Sequence, residues 1–188
     1  FCQNEIIRKL SFTGSTRIGK HLLAQASVDI KRCSMELGGN APFILFEDAD
    51  IDSAVDGMLV AKLRNSGQTC IAANRFLVHS SIYEHVIDKI CSKIEHINTG
   101  DGFDEQTDIG PLITPAAAQK INRKIDQAIE AGAQIVGGKR SNGSFFEPLV
   151  VTNVSTHTAL WAEEIFGPTF SINRFDTDSQ ALALANDT

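Results

Sequence analysis

Apolar positions along this chain alternate between two periods. Leu10-Ser11-Phe12-Thr13 has the period-two pattern of a half-buried strand, Gly14-Ser15-Thr16 reads as a turn, and residues 17–26 carry Ile18, Leu22 and Leu23 on one helical face. The same reading predicts strands at 31–36 and 41–46, with Pro42 early in the second, where a missing ladder donor is tolerated. A helix capped by Asp50 or Asp52 follows, because Ile51, Val55, Met58, Leu59 and Leu63 recur at helical spacing until Gly67. Next come a strand at 76–78 and a helix with Tyr83, Val86, Ile87, Ile90, Ile94 and Ile97 on one side, broken at Gly100-Asp101-Gly102. Thr114-Pro115 opens a further helix with Ile121, Ile125, Ala128 and Ile129 inward, closed by Gly132. Strands at 134–136, 149–152 and 170–175 and a last helix at 178–186 complete the pattern. Strands alternating with helices predict an α/β fold around a mainly parallel sheet. No internal repeat or low-complexity linker interrupts it.

Composition narrows the function classes. The 188 residues are 43% hydrophobic, enough for a packed core, and the formal net charge of −6 comes without a lysine or arginine run, which excludes a nucleic-acid footprint. No apolar run approaches the roughly 18 residues of a membrane-spanning helix, so no membrane partner is expected. Cys2, Cys33, Cys70 and Cys91 are scattered without a Cys-x-x-Cys pair, which reads as free thiols in a reducing, cytoplasmic setting. The five histidines are not grouped with cysteines as metal ligands, and no metal is expected.

The candidate chemistry lies in two segments, Met35-Glu36-Leu37-Gly38-Gly39-Asn40-Ala41-Pro42 and Arg64-Asn65-Ser66-Gly67-Gln68-Thr69-Cys70. They pair a candidate thiol nucleophile with a candidate carboxylate base, a combination that suggests covalent acyl chemistry. Cys70 follows Gly67 at the end of a helix, where a turn can present sulfur to a cleft, and Glu36 precedes two glycines that admit a ligand close to the backbone. A thiol at its ordinary pKa of about 8.5 is only a few per cent thiolate at pH 7, so such a nucleophile needs neighbouring donors, dipoles or a base.

With a third segment, Glu163-Glu164-Ile165-Phe166-Gly167-Pro168, these motifs closely resemble the signatures of the aldehyde dehydrogenase superfamily, in the family's order and over essentially the whole chain. The resemblance implies a three-layer α/β structure made of the end of a Rossmann-like cofactor domain, residues 1–38, and most of a catalytic domain, residues 39–188, truncated at its C-terminus. It implies NAD or NADP as cofactor, a small-molecule aldehyde as substrate and a homo-oligomeric parent enzyme. Cys70 would attack the aldehyde carbon and Glu36 would activate the water that hydrolyses the thioester. The Cys70 backbone N–H and an upstream Asn outside this chain would hold the oxyanion. Ser15 would contact the pyrophosphate at a helix N-terminus, with Thr13 and Gly14 shaping the turn and Leu37 and Gly38 lining the cofactor. Glu164 would bond the nicotinamide ribose and Phe166 would pack near the ring.

The run from Lys62 to Cys70 is similar to that of succinate-semialdehyde dehydrogenases, in which the arginine at the position of Arg64 anchors the distal carboxylate. Ala72 departs from the second cysteine that many of them carry two residues past the nucleophile. A glutarate or aliphatic semialdehyde is the alternative substrate. One rival comes from another class: Gly14-Ser15-Thr16-Arg17-Ile18-Gly19-Lys20-His21 is nearly a P-loop, and 43–48 mimics the acidic strand that accompanies one, but His21 stands where a metal-binding hydroxyl belongs. A Cys70 and His157 protease pair has no supporting motif.

Overall fold

Backbone contacts in the computed structural model, which describes residues 1–141 and 143–188, divide the chain into two units, Phe1–Gly39 and Asn40–Thr188. The first unit is one strand–helix–strand crossover. Strand β1 (Lys9–Gly14) pairs in parallel with β2 (Arg32–Leu37), Lys9 opposite Arg32 through to Gly14 opposite Leu37. Helix α1 (Thr16–Ala26) joins them and begins one residue after β1 ends. Ser15 is its N-cap, with extended backbone and an Oγ that accepts the Ile18 N–H at 3.4 Å. Gly19 lets the helix lie flush on β2, since a Cβ there would stand 2.6 Å from Leu37 Cδ2.

The second unit is a five-stranded sheet in the order β3-β4-β7-β6-β5. Its chain order runs β3 (Ala41–Leu45), α2 (Ile51–Leu63), β4 (Ala73–His79), α3 (Tyr83–Ile94), α4 (Pro115–Glu130), β5 (Gln134–Gly138), β6 (Leu149–Thr152), α5 (Ala159–Ala162), β7 (Thr169–Phe175) and α6 (Asp178–Asn186). All pairings are parallel except β5 with β6, and Pro42 lies on edge strand β3, where its missing N–H breaks no interior ladder. The period of two sorts side chains between two cores. Phe76, Val78, Val150, Phe170 and Ile172 face α2 and α3 on one side, while Leu77, Leu149, Val151 and Phe175 face α4, α5 and α6 on the other. This is a three-layer α/β arrangement with a mostly parallel sheet, as the strand–helix alternation requires.

Three departures from the sequence reading have physical causes. Helix α5 went unforeseen because Ala159-Leu160-Trp161-Ala162 is too short to display a period. Strand β4 extends back to Ala73 because Asn74 and Arg75, which lie before the strand predicted at 76–78, are buried. Arg75 is held by donating from Nε and Nη2 to the Asn40 carbonyl at 3.0 and 2.9 Å, and to the Leu184 and Ala185 carbonyls at 2.7 and 2.9 Å, so it satisfies the last turn of α6. Helix α2 stops at Leu63 rather than Gly67, and a kinked turn, Arg64–Gly67, replaces its last turn.

Candidate active site

In the first unit the predicted cofactor residues gather at the carboxyl ends of two parallel strands. Thr13 pairs with Glu36 and Gly14 with Leu37, while Ser15 caps α1 directly beyond β1. Thr13, Ser15 and Glu36 are exposed, and Gly14, Leu37 and Gly38 are half-buried. A strand end beside a helix N-terminus is where open α/β sheets take anionic ligands. The same geometry rules out the P-loop. Only Ser15 separates strand from helix, the Gly19 N–H is already bonded to the Ser15 carbonyl at 3.0 Å, and Lys20 stands on the body of α1. A phosphate cradle needs those successive N–H groups free in a loop.

In the second unit Cys70 is exposed on a tight turn closed by the Ala72 N–H bonding the Thr69 carbonyl at 3.2 Å, just before β4. The backbone that delivers it is strained. Asn65 (φ 51°, ψ 39°), Ser66 (φ 56°, ψ 32°) and Gly67 (φ 76°) are three consecutive left-handed residues, a conformation that L-residues resist and that surrounding bonds must hold. Gln68 supplies much of that restraint: its Nε2 donates to the Asn65 and Pro111 carbonyls at 3.2 and 3.3 Å, and its Oε1 accepts the Ile113 N–H at 2.8 Å. Ser66 Oγ donates to the Gly110 carbonyl at 2.7 Å. Gly67 lies flat on the third motif, for a Cβ there would sit 2.3 Å from the Gly167 carbonyl oxygen.

That third motif is a segment without regular secondary structure between α5 and β7, and two buried lysines hold it. Lys62, on the last turn of α2 and 0% exposed, donates from Nζ to the Ile165 carbonyl at 3.0 Å and to Asn74 Oδ1 at 2.8 Å. Burial lowers its pKa from 10.5 to about 7, against the pull of the nearby Glu164 carboxylate, which raises it. Lys124, on α4, donates to the Glu164 carbonyl at 2.9 Å and pairs with Glu163 Oε2 at 3.0 Å. Glu164 is half-buried, and Phe166 is 45% exposed, so its ring is not part of the hydrophobic core. Glu164, Phe166, Lys120 and Lys124 line a small hollow together.

Arg64 is exposed and borders an open, largely apolar hollow with Val60, Ile97 and Asp108. Its spacing from Cys70 is not helical, because α2 has already ended; Arg64 is the C-cap (φ −52°, ψ 126°) and the left-handed turn intervenes. The other thiols are placed differently from Cys70. Cys2 is buried, Cys33 is half-buried, and Cys91 packs on Gly137 with its thiol pushed up by burial. Among the described residues no group of three or more His, Cys, Asp or Glu side chains has metal-holding geometry, and no helix is long and apolar enough to cross a membrane.

Sequence reading assigned no role to Lys62, Lys124, Gln68 or Gly167. A signal for the first was present: Val55, Met58 and Lys62 are spaced as one buried stripe, and a lysine on such a stripe needs a partner.

Residues 1–188 match the model of the aldehyde dehydrogenase family. A probable succinate-semialdehyde dehydrogenase (NADP(+)) of Sinorhizobium fredii is 50% identical over 190 residues, covering 100% of this chain and 39% of that protein. A glutarate-semialdehyde dehydrogenase of Pseudomonas putida is 44% identical over 186 residues, covering 98% of this chain and 39% of that protein. The crystal structure of a succinate-semialdehyde dehydrogenase from Burkholderia pseudomallei superposes with a TM-score of 0.95 at 42% identity, over 100% of this chain and 39% of that one. The chain thus spans about 39% of the length of the relatives it matches.

Proposed function

Because the chain belongs to the aldehyde dehydrogenase family, we propose that the whole enzyme oxidises an aldehyde to a carboxylic acid, with Cys70 as nucleophile and NAD or NADP as cofactor. The observation that carries this reading is the placement of Cys70: an exposed thiol just after a restrained turn whose Gly67 backbone lies against Gly167, the residue that follows the exposed Phe166 in the chain. Residues 1–38 serve as the end of the cofactor domain and 39–188 as most of the catalytic domain.

The residues present fit a dinucleotide. Ser15 and the N-terminus of α1 suit the pyrophosphate, with Thr13, Gly14, Leu37 and Gly38 around it. Glu164 suits a ribose diol, and Phe166 a flat ring face. The S. fredii relative is named for NADP(+), which supports this cofactor class. When bound, such a cofactor would supply the hydride acceptor for oxidation at the substrate carbon.

The chain's own groups supply the rest of the reaction. The Cys70 thiolate adds to the aldehyde carbon, and the Cys70 N–H donates to the oxygen that becomes negative. Loss of hydride from that carbon leaves a thioester on Cys70. Glu36 takes a proton from water, the hydroxide adds to the thioester carbon, and the C–S bond breaks to release the acid and restore the thiolate. Arg64, a planar cation at the edge of an apolar hollow, binds the distal carboxylate of a semialdehyde. Succinate semialdehyde is the substrate we assign, on the 50% identical relative; glutarate semialdehyde is the second reading, on the P. putida relative. The free thiols support a reducing, cytoplasmic setting.

The test is Cys70→Ala in the whole enzyme, assayed with succinate semialdehyde, glutarate semialdehyde and an uncharged aldehyde against NAD and NADP. Oxidation of every aldehyde is abolished while dinucleotide binding persists. Turnover above background in the variant would overturn the assignment of the nucleophile.

A further inference from the structure

Segment 163–168 lies outside every helix and strand, yet it carries Glu164 and Phe166, whose positions would decide how the nicotinamide half of the cofactor is held. Backbone carbonyls in such a segment have no ladder partners and must find others. Two consecutive ones find lysines. The Glu164 carbonyl accepts from Lys124 at 2.9 Å and the Ile165 carbonyl from Lys62 at 3.0 Å, from two helices on opposite faces of the sheet. Lys62 has a second acceptor in Asn74 Oδ1 at 2.8 Å, and Lys124 a second in Glu163 Oε2 at 3.0 Å. Lys62 is 0% exposed and Lys124 7% exposed. Lysine is seldom buried, because an ammonium loses its hydration there, and a purely packing role would be filled more cheaply by methionine.

We infer that Lys62 and Lys124 are positioning residues for the cofactor: a two-sided clamp on consecutive carbonyls of segment 163–168 that sets where Glu164 and Phe166 stand. This rests on the proposed contacts of Glu164 and Phe166 with the nicotinamide half. Lys62 has a further consequence through its own helix. It sits on the last turn of α2, eight residues before Cys70, and Gly67 of the intervening turn already lies on Gly167. The nucleophile loop and the cofactor segment are therefore registered against each other at two points, one polar and one by close backbone approach. Neither lysine needs to touch the cofactor for this; each acts through the backbone of the segment.

The test measures affinities of the whole enzyme for two probes, NADPH, which carries the nicotinamide half, and ADP, which does not. In Lys62→Met the N–H donors are removed at similar volume, and affinity for NADPH falls by up to about tenfold, the worth of one hydrogen bond, while affinity for ADP is unchanged. Lys62→Gln, which retains an N–H donor, restores part of the loss. Lys124→Met carries the same test from the other side of the segment should Lys62→Met fail to fold. Glu164→Gln and Phe166→Ala are measured in parallel. If they weaken NADPH binding and the lysine variants do not, the clamp is overturned and the reading of the segment stands. If none of the four alters NADPH binding, the reading of the segment fails and the clamp with it. Equal losses for NADPH and ADP would make the lysines merely structural and would also overturn the inference.

Discussion

Gly67→Ala tests whether close backbone approach sets the geometry of the nucleophile loop. Gly67 has φ 76°, and an added Cβ would stand 2.3 Å from the Gly167 carbonyl oxygen and 2.4 Å from its carbonyl carbon. Contact distances below 3.0 Å are essentially unknown for a Cβ, so the gap must widen by 3.0 − 2.3 = 0.7 Å at least. Both sides of that gap are backbone, and no side chain can swing away to relieve it. The left-handed conformation alone costs an alanine about 1–2 kcal/mol, and overpacking adds about 1–3 kcal/mol. The sum lowers the unfolding midpoint of a chain this size by about 10 °C. Gly132→Ala isolates the first term, because Gly132 is also left-handed (φ 102°) but has nothing within 4 Å of its would-be Cβ. Displacing the loop by 0.7 Å or more also displaces Cys70, and a misplacement of that order costs up to about a hundredfold in turnover. The assay is thermal unfolding of both variants together with kcat of the whole enzyme. If Gly67→Ala matches Gly132→Ala in both midpoint and kcat, the close approach has no part in placing the thiol.

Glu36→Gln should slow hydrolysis of the thioester more than its formation, so rapid mixing shows a burst of reduced cofactor followed by a slow steady state; equal slowing of both phases would count against the base. Arg64→Ala should lose about 2–4 kcal/mol in kcat/KM for succinate semialdehyde and little for an uncharged aldehyde of the same length, as expected when one side of a charge-assisted pair is truncated. Equal losses for the two aldehydes would make Arg64 structural. Lys62 also predicts a pH effect on stability. Its pKa is about 7 when folded against an ordinary 10.5, so between those values the unfolded chain binds more protons and stability rises with pH. The wild type should gain on Lys62→Met by up to about 1.4 kcal/mol per pH unit above pH 7, with no such gain below it. A difference in unfolding free energy that stays flat from pH 6 to pH 9 would contradict this protonation.

Much of the fold is legible in the order of side chains because it is local. The period of two in β7, the 3.6-residue stripe of α3 and the caps Asp50 and Thr114 each act within a few residues. The candidate nucleophile and base are legible for the same reason, as contiguous motifs in which glycines accompany the reactive side chain. Buried polar residues are the systematic gap. Arg75, Lys62 and Lys124 are of types ordinarily found at the surface, and each is buried where a carbonyl from a distant part of the chain accepts from it, while Asn74 is buried against Lys62. Lys62 and Ile165 are 103 residues apart, and no local pattern encodes their contact. Likewise the sequence predicts a helix through to Gly67, whereas the left-handed turn at 65–67 exists because Gln68, Ser66 and the flat face of Gly167 hold it there. By itself the sequence determined the alternation of strands and helices, their caps and the family's reactive side chains, since these depend on spacing and residue type. Tertiary structure alone decided the direction of the Cys70 loop and the anchoring of segment 163–168, because both rest on hydrogen bonds and close contacts between residues far apart in the chain.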